Sequence, residues 1–285
     1  MKILITGSSG FVGRNLFSSL EKDFEVIGLS RSKSETTNFI GNICDEENIQ
    51  NSLNHIKPDL IIHSAALTNV DYCEENKEEA WNVNVKGTLN LVKWAVVNRK
   101  KIIYISTDYV YPGKINNYDE NSEVEPVNFY GKTKLAGEKI VSILSDYLIL
   151  RPTVIFGYDK NGKNFLMQLL GLKDKKKIVY DQISNPTDVK VLCDYIKISI
   201  NKNISGIFVA TGPETLDRLS FSFLVAEIFG LNKELFIKTD TSSLGQKAIR
   251  PLNNGTNSLK IRNLLDYKCP SLRESLENIK KDYFN

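Results

Sequence analysis

Tyr130 and Lys134 stand four places apart in FYGKTKLAGEK (129–139), at the predicted start of a helix. Residues at i and i+4 share a helical face. The pair is therefore either an ordinary surface contact or a phenol and an ammonium set to move a proton. With 12 tyrosines in a lysine-rich chain, about one such spacing arises by chance, so the surroundings decide. A phenol at its reference pKa of about 10 holds its proton too tightly for efficient work at neutral pH. An adjacent ammonium favours the phenolate and is expected to bring that value down.

The elements that must position this pair follow from the pattern of apolar runs. KILIT (2–6), EVIGL (25–29), DLIIHSA (59–65), KIIYIST (101–107) and YLILR (147–151) read as strands, with NFI (38–40) as a short one. Helices are expected from near Phe11, from Asp45 to about His55, from Asn76 to Asn98 and over 130–144. Continuous apolar strands alternating with helices indicate an α/β fold, a doubly wound parallel sheet covered on both faces. After Pro152 the rhythm loosens. YDKNGKN (158–164) reads as a loop, NFLMQLLGL as a helix, and a helix near 187–201 with strand GIFVA (206–210) returns to the sheet. The remainder is expected to be helix and loop. The domains implied are 1–151 with 187–212 returning to it, and a small C-terminal substrate domain from 152–186 and 213–285.

In such sheets ligands sit beyond the carboxyl ends of the strands. Ser106-Thr107-Asp108-Tyr109, Tyr130 and Asn84 should converge there, bringing a hydroxyl, a phenol, an ammonium and an amide together without a metal. That set suits proton transfer at a carbonyl or alcohol oxygen. Strand KILIT runs directly into Gly7-Ser8-Ser9-Gly10-Phe11-Val12-Gly13 and then a helix. Gly7 permits the tight turn, Gly10 lets backbone approach a pyrophosphate, and Gly13 lets the helix pack on the strand. The helix start presents free N–H groups and the positive dipole end. The second strand ends in Ser30-Arg31 with no carboxylate. An acid there would favour NAD, whereas a guanidinium matches the 2′-phosphate of NADP. NADPH is the expected cofactor, with NADH as the alternative.

Composition narrows the partners. The 285 residues carry 37 basic and 34 acidic side chains, net +3, too balanced for nucleic-acid binding. The run KDKKK (173–177) reads as a solvated turn. Four scattered cysteines and two histidines form no metal or disulfide pattern. His63, inside LIIHSAA, reads as a packed strand-end residue. The chain shows no signal peptide and no apolar run of about 18 residues. A cytoplasmic protein, without membrane partner and compatible with a homodimer, is expected.

GSSGFVG, HSAA (63–66), WNVNVKGT, ISTDYVY and YGKTK together resemble the extended short-chain dehydrogenase/reductase family, in its sugar-nucleotide branch. STDYVYPG, EPVNFYGKTKLAGE, LTNVDYCEEN, QISNPTDV and RPLNNGTNSLK are similar to the dTDP-4-dehydrorhamnose reductases within it. The likeness covers nearly the whole chain and is tightest up to residue 151. It implies NADPH-dependent reduction of the 4-keto group of a nucleotide-linked deoxysugar, as in dTDP-rhamnose biosynthesis. Carried over, it makes Tyr130 the proton donor and Lys134 its activator and ribose ligand. It makes Thr107 the hydroxyl that polarises the carbonyl, with Asp108 beside the sugar, and Asn84 the holder of a relay water. Asn42 and Ile43 fall where the family contacts adenine, and Ala65 and Ala66 where it contacts the middle of the cofactor. Thr68 and Asp71 align with a substrate-side loop. Arg250 is a candidate diphosphate or base contact, or else a helix-flanking surface residue.

The chain departs from the family in three places. Val154 stands where a tryptophan often packs on the sugar, Asn42 where Asp is usual, and Ser30-Arg31 where many relatives have Asp. Two other readings share these motifs: a sugar-nucleotide epimerase or dehydratase, and an NADP-binding regulatory subunit resembling the β subunit of methionine adenosyltransferase.

Overall fold

A computed structural model describes residues 1–162 and 164–284; of the expected 158–164 loop, Lys163 lies outside the described residues. Strand and helix alternate first as β1 (Lys2–Thr6), α1 (Phe11–Leu20), β2 (Glu25–Ser30), β3 (Phe39–Ile40), α2 (Glu46–Ile56) and β4 (Leu60–His63). There follow α3 (Val70–Glu75), α4 (Lys77–Trp81), α5 (Gly87–Asn98), β5 (Lys101–Ile105), α6 (Phe129–Val141) and β6 (Tyr147–Arg151). The second half contains β7 (Ile155–Phe156), α7 (Phe165–Leu170), β8 (Lys176–Val179), β9 (Ile183–Ser184), β10 (Thr187–Asp188) and α8 (Val189–Asn201). It ends with β11 (Gly206–Val209), β12 (Leu216–Asp217), α9 (Arg218–Phe229), β13 (Phe236–Thr239), α10 (Leu259–Leu265) and α11 (Leu272–Phe284).

Seven strands form one parallel sheet in the order β11-β6-β5-β4-β1-β2-β3. The order reverses between β1 and β4, and that is where a doubly wound sheet opens its binding crevice. Side chains alternate across a strand, and the two faces are sealed by different helices. Ile3, Ile5 and Ile62 pack with Leu16 of α1 and Leu192 and Ile196 of α8. Leu4, Ile61 and Tyr104 pack with Leu53 of α2 and Leu91 of α5 on the other side. A third cluster joins Phe156, Leu166, Phe221, Val225 and Leu276. Ile261 and Leu265 of α10 pack instead into the first cluster.

Three expectations need correction. The run from Asn76 to Asn98 is not one plain helix, because residues Asn82–Lys86 widen into a π-helical turn between α4 and α5. The C-terminal half is not only helix and loop: β8 pairs in parallel with β13, and β12 pairs with β9. Lys176 and Lys177 of KDKKK begin β8 rather than a turn. Their alkyl stems permit edge placement, and only Ile178 and Val179 are buried.

Gly7 has φ of +70°, and a side chain there would press on the Ala65 backbone at 2.7 Å. At Gly13 a Cβ would overlap the Gly7 carbonyl, backbone that cannot swing aside. Gly13→Ala is therefore expected to cost about 1–3 kcal/mol and to weaken dinucleotide binding. Thermal melts with and without added dinucleotide check this; an unchanged melt would mean that the turn relaxes freely.

Candidate active site

The first turn of α1 has no side-chain cap and no acidic residue. At its N-cap opens a cleft of about 560 Å³ lined by Gly7, Gly10, Ala65, Ala66, Asn42 and Ile43. Phe11 and Val12 pack into the sheet's first core cluster, so what they can offer a phosphate is backbone N–H. Arg31 is exposed at the other end of the cleft, next to Ser32 and Lys33. Ser30 lines the cleft, but its hydroxyl is spent within the loop, donating to Ser32 O at 2.6 Å. These features fit a dinucleotide: glycines that leave no Cβ in the turn, free helix amides for the pyrophosphate and cations at the far end.

Several residues of this cleft carried no expectation. Arg14, directly after the third glycine, lines it and pairs with buried Asp159 at 2.8 Å. Lys33 was legible as the second cation of SRSKS. Asn161 arrives from a distant loop, and nothing local in the sequence marks it.

The catalytic candidates lie beside the cleft, at the carboxyl ends of β5 and β6. Asn128 caps α6 by accepting from Gly131 N at 2.9 Å, which places Tyr130 in the first turn and Lys134 one turn on. Both side chains face inward, and their exposures are 8% and 2%. The Tyr130 ring meets the edge of Tyr109 at 6.0 Å, with the Thr107 hydroxyl near enough to act on the phenol's pKa. Asn84 sits in the π-helical turn. It accepts from Leu67 N at 2.8 Å and donates to Thr133 Oγ1 at 2.9 Å and Leu67 O at 3.0 Å. A π turn widens the backbone and re-aims a side chain, a device frequent at functional sites.

The electrostatics around Tyr130 do not by themselves lower its pKa. Burial pushes the Tyr130 phenol above its ordinary value, and the neighbouring Thr107 hydroxyl only partly offsets this. Lys134 is not among the groups that lower it. The physical reason is that burial also acts on the lysine, bringing it down to about 7 against the opposing pull of Glu138. Its Nζ lies over the Tyr104 ring, 4.0 Å from the centroid. In this form Tyr130 keeps its proton across the working range.

Asp108 is 2% exposed and accepts from Thr153 Oγ1 and Asn254 Nδ2, both at 2.7 Å. Its other oxygen accepts from Thr107 Oγ1 at 3.2 Å. Burial raises its pKa to about 6 despite these three donors. It positions Thr107 and ties the C-terminal segment to the sheet. Asp71 and Arg250 pair with each other at 2.7 Å, and Ala248 N also donates to Asp71. Burial alone would raise Asp71, but the Ala248 amide and the Arg250 guanidinium outweigh it and hold the carboxyl below its usual range. Thr68 is exposed on the loop after β4.

His63 is fully packed between Thr6 Oγ1 at 2.8 Å and Thr88 Oγ1 at 3.0 Å. Burial, followed by the Lys134 charge, pushes it down to about 3, so it stays neutral. Among the described residues there is no cluster suited to a metal ion and no helix long and apolar enough to cross a membrane.

The chain is similar to known proteins in sequence and fold. The family model described as RmlD substrate binding domain matches residues 1–284. The dTDP-4-dehydrorhamnose reductase of Aggregatibacter actinomycetemcomitans is 31% identical over 98% of each chain. The methionine adenosyltransferase 2 subunit beta of Danio rerio is 28% identical over 88% of this chain and 81% of its own. A crystal structure of dTDP-4-dehydrorhamnose reductase from Bacillus anthracis in complex with NADP superposes with a TM-score of 0.89, at 27% identity and 99% coverage of both chains.

Proposed function

The chain belongs to the RmlD substrate binding domain family, and from that premise we propose that it is an NADPH-dependent reductase of a nucleotide-linked 4-keto-deoxysugar, with dTDP-4-dehydrorhamnose as the leading substrate. The observation that carries this reading is the placement of Tyr130 and Lys134, buried one helical turn apart, with Thr107 at the end of β5, beside a glycine-turn cleft. When bound, the reduced dinucleotide supplies the hydride. Tyr130 supplies the proton to O4. An alkoxide is a stronger base than a phenolate, so even a phenol raised by burial gives up its proton to it. Thr107, whose hydroxyl proton goes to Asp108 at 3.2 Å, would turn that proton to the same oxygen once substrate binds and polarise the carbonyl. Lys134 in its charged form stabilises the phenolate left behind. Asn84, fixed in its π turn, holds the water through which that proton is replaced.

Gly7, Gly10, Phe11, Val12 and Gly13 would hold the pyrophosphate, Asn42 and Ile43 the adenine, and Ala65 and Ala66 the middle of the cofactor. Thr68 and the paired Asp71 and Arg250 would border the substrate. The small C-terminal part, 152–186 and 213–285, would seat the sugar nucleotide, with α10 remaining on the sheet side. The setting we assign is the cytoplasm, in keeping with four free cysteines.

Arg31 and Lys33 would discriminate the 2′-phosphate. For an exposed charge-assisted contact, Arg31→Ala is expected to lower kcat/KM for NADPH about tenfold while leaving NADH nearly unaffected. Equal losses with both cofactors would remove Arg31 from this role. The broader test is a turnover screen of dTDP-, UDP- and GDP-4-keto sugars, followed by NADPH absorbance. One second reading is favoured by the 28% identity to a methionine adenosyltransferase β subunit: a dinucleotide-binding regulatory subunit. It predicts no turnover anywhere in that screen and a stable partner enzyme in pull-downs.

A further inference from the structure

Lys134 carries its charge in a place where almost nothing polar meets it. Among the described residues its Nζ donates no hydrogen bond, and burial works against the ammonium. What it does meet is the ring of Tyr104, on β5 beneath α6, 4.0 Å from nitrogen to centroid. The ring is 1% exposed and packs against His63, with centroids 5.5 Å apart. The helix is shaped to admit it. Gly137 lies three residues beyond Lys134 on the same face, and any Cβ there would overlap the Tyr104 hydroxyl. β5 and α6 thus close on each other around one aromatic ring, with the amine resting on its face.

We infer that Tyr104 is the positioning residue of Lys134, its π face holding the amine in place and keeping it charged. This rests on the reading of Lys134 as the ammonium of the reductase. An aromatic face attracts a cation most strongly where water is excluded, which is the situation here. The other titratable groups facing the amine are Glu138 one turn on along α6, Tyr130 one turn back, and His63 on β4. Glu138 is fastened by Arg151 and Ser106. His63 is neutral and Tyr130 raised, while burial lifts Tyr104 well above its ordinary value. Near neutral pH, Lys134 is therefore the group in this cluster whose charge changes.

The test replaces Tyr104 with phenylalanine and then with its mono-, di- and trifluorinated analogues. These preserve ring shape while draining electron density from the face. The full-length protein, labelled with ¹³C at lysine Cε, is titrated by NMR, the Lys134 signal being assigned by its loss in Lys134→Arg. The expected result is a Lys134 midpoint that falls stepwise, by about one pH unit over the series, with the alkaline limb of kcat/KM falling in parallel. A midpoint that stays put across the series overturns the inference, whatever happens to turnover. Failure of the underlying reading shows separately, as full turnover in Lys134→Ala.

Discussion

Tyr130→Phe is expected to lower kcat by about 10²–10⁴-fold and to leave NADPH affinity nearly unchanged. The ring is 8% exposed and packs edge-on against Tyr109, so phenylalanine keeps the packing and removes only the acid. What remains is the Thr107 hydroxyl, which can turn from Asp108 to polarise a carbonyl but has no route to replenish a proton. Stopped-flow turnover and NADPH fluorescence titration on the same preparation separate the two effects. Retention of near-normal turnover would assign the proton to another group. Loss of cofactor binding together with turnover would mean that the hydroxyl is structural.

The largest effect on stability is expected at Glu138. Its carboxylate accepts from Arg151 Nε at 2.9 Å, Arg151 Nη2 at 2.7 Å and Ser106 Oγ at 2.6 Å. The two charged side chains are 3% and 4% exposed. Arg151 also donates to the Tyr111 hydroxyl at 3.0 Å, which does not neutralise its charge. Glu138→Ala strands a guanidinium in the interior and is expected to cost about 3–5 kcal/mol. At about 2–4 °C per kcal/mol, the melting temperature should fall by roughly 10 °C. Arg151→Met together with Glu138→Leu should recover most of that loss, because an apolar pair of similar volume avoids the unpaired charge. Denaturant unfolding of the single and double variants measures it. A loss below about 1 kcal/mol, the range of exposed pairs, would mean that water reaches the pair.

These two residues illustrate what the sequence could and could not reveal. Tyr130 and Lys134 were legible because one helical turn separates them and a strand–glycine–helix start stood upstream. The sheet was legible because its strands are unbroken apolar runs such as LIIH and YLIL. The direction of the Tyr130 shift was not legible, because it depends on how deeply α6 sinks against β5, a tertiary quantity. Tyr104 looked like any aromatic residue in a buried strand; only the passage of Gly137 over it makes it the neighbour of Lys134. The π turn was hidden because NVNVK reads as ordinary helix by pattern. β8 was masked by the lysines that start it, and the two-residue strands are too short to carry a period. The pairing of Asp71 with Arg250 joins residues 179 positions apart, a distance over which local pattern is silent.

The account stands on transfer of hydride to a sugar carbon with Tyr130 protonating the oxygen. The most direct measurement supplies dTDP-4-dehydrorhamnose with NADPH deuterated at C4 of the nicotinamide and reads the product by NMR and mass spectrometry. With each face of the nicotinamide labelled in turn, one label is predicted to appear at C4 of the sugar, one deuterium per NADPH consumed. Turnover without net NADPH consumption, or a product carrying no deuterium from either label, would contradict it.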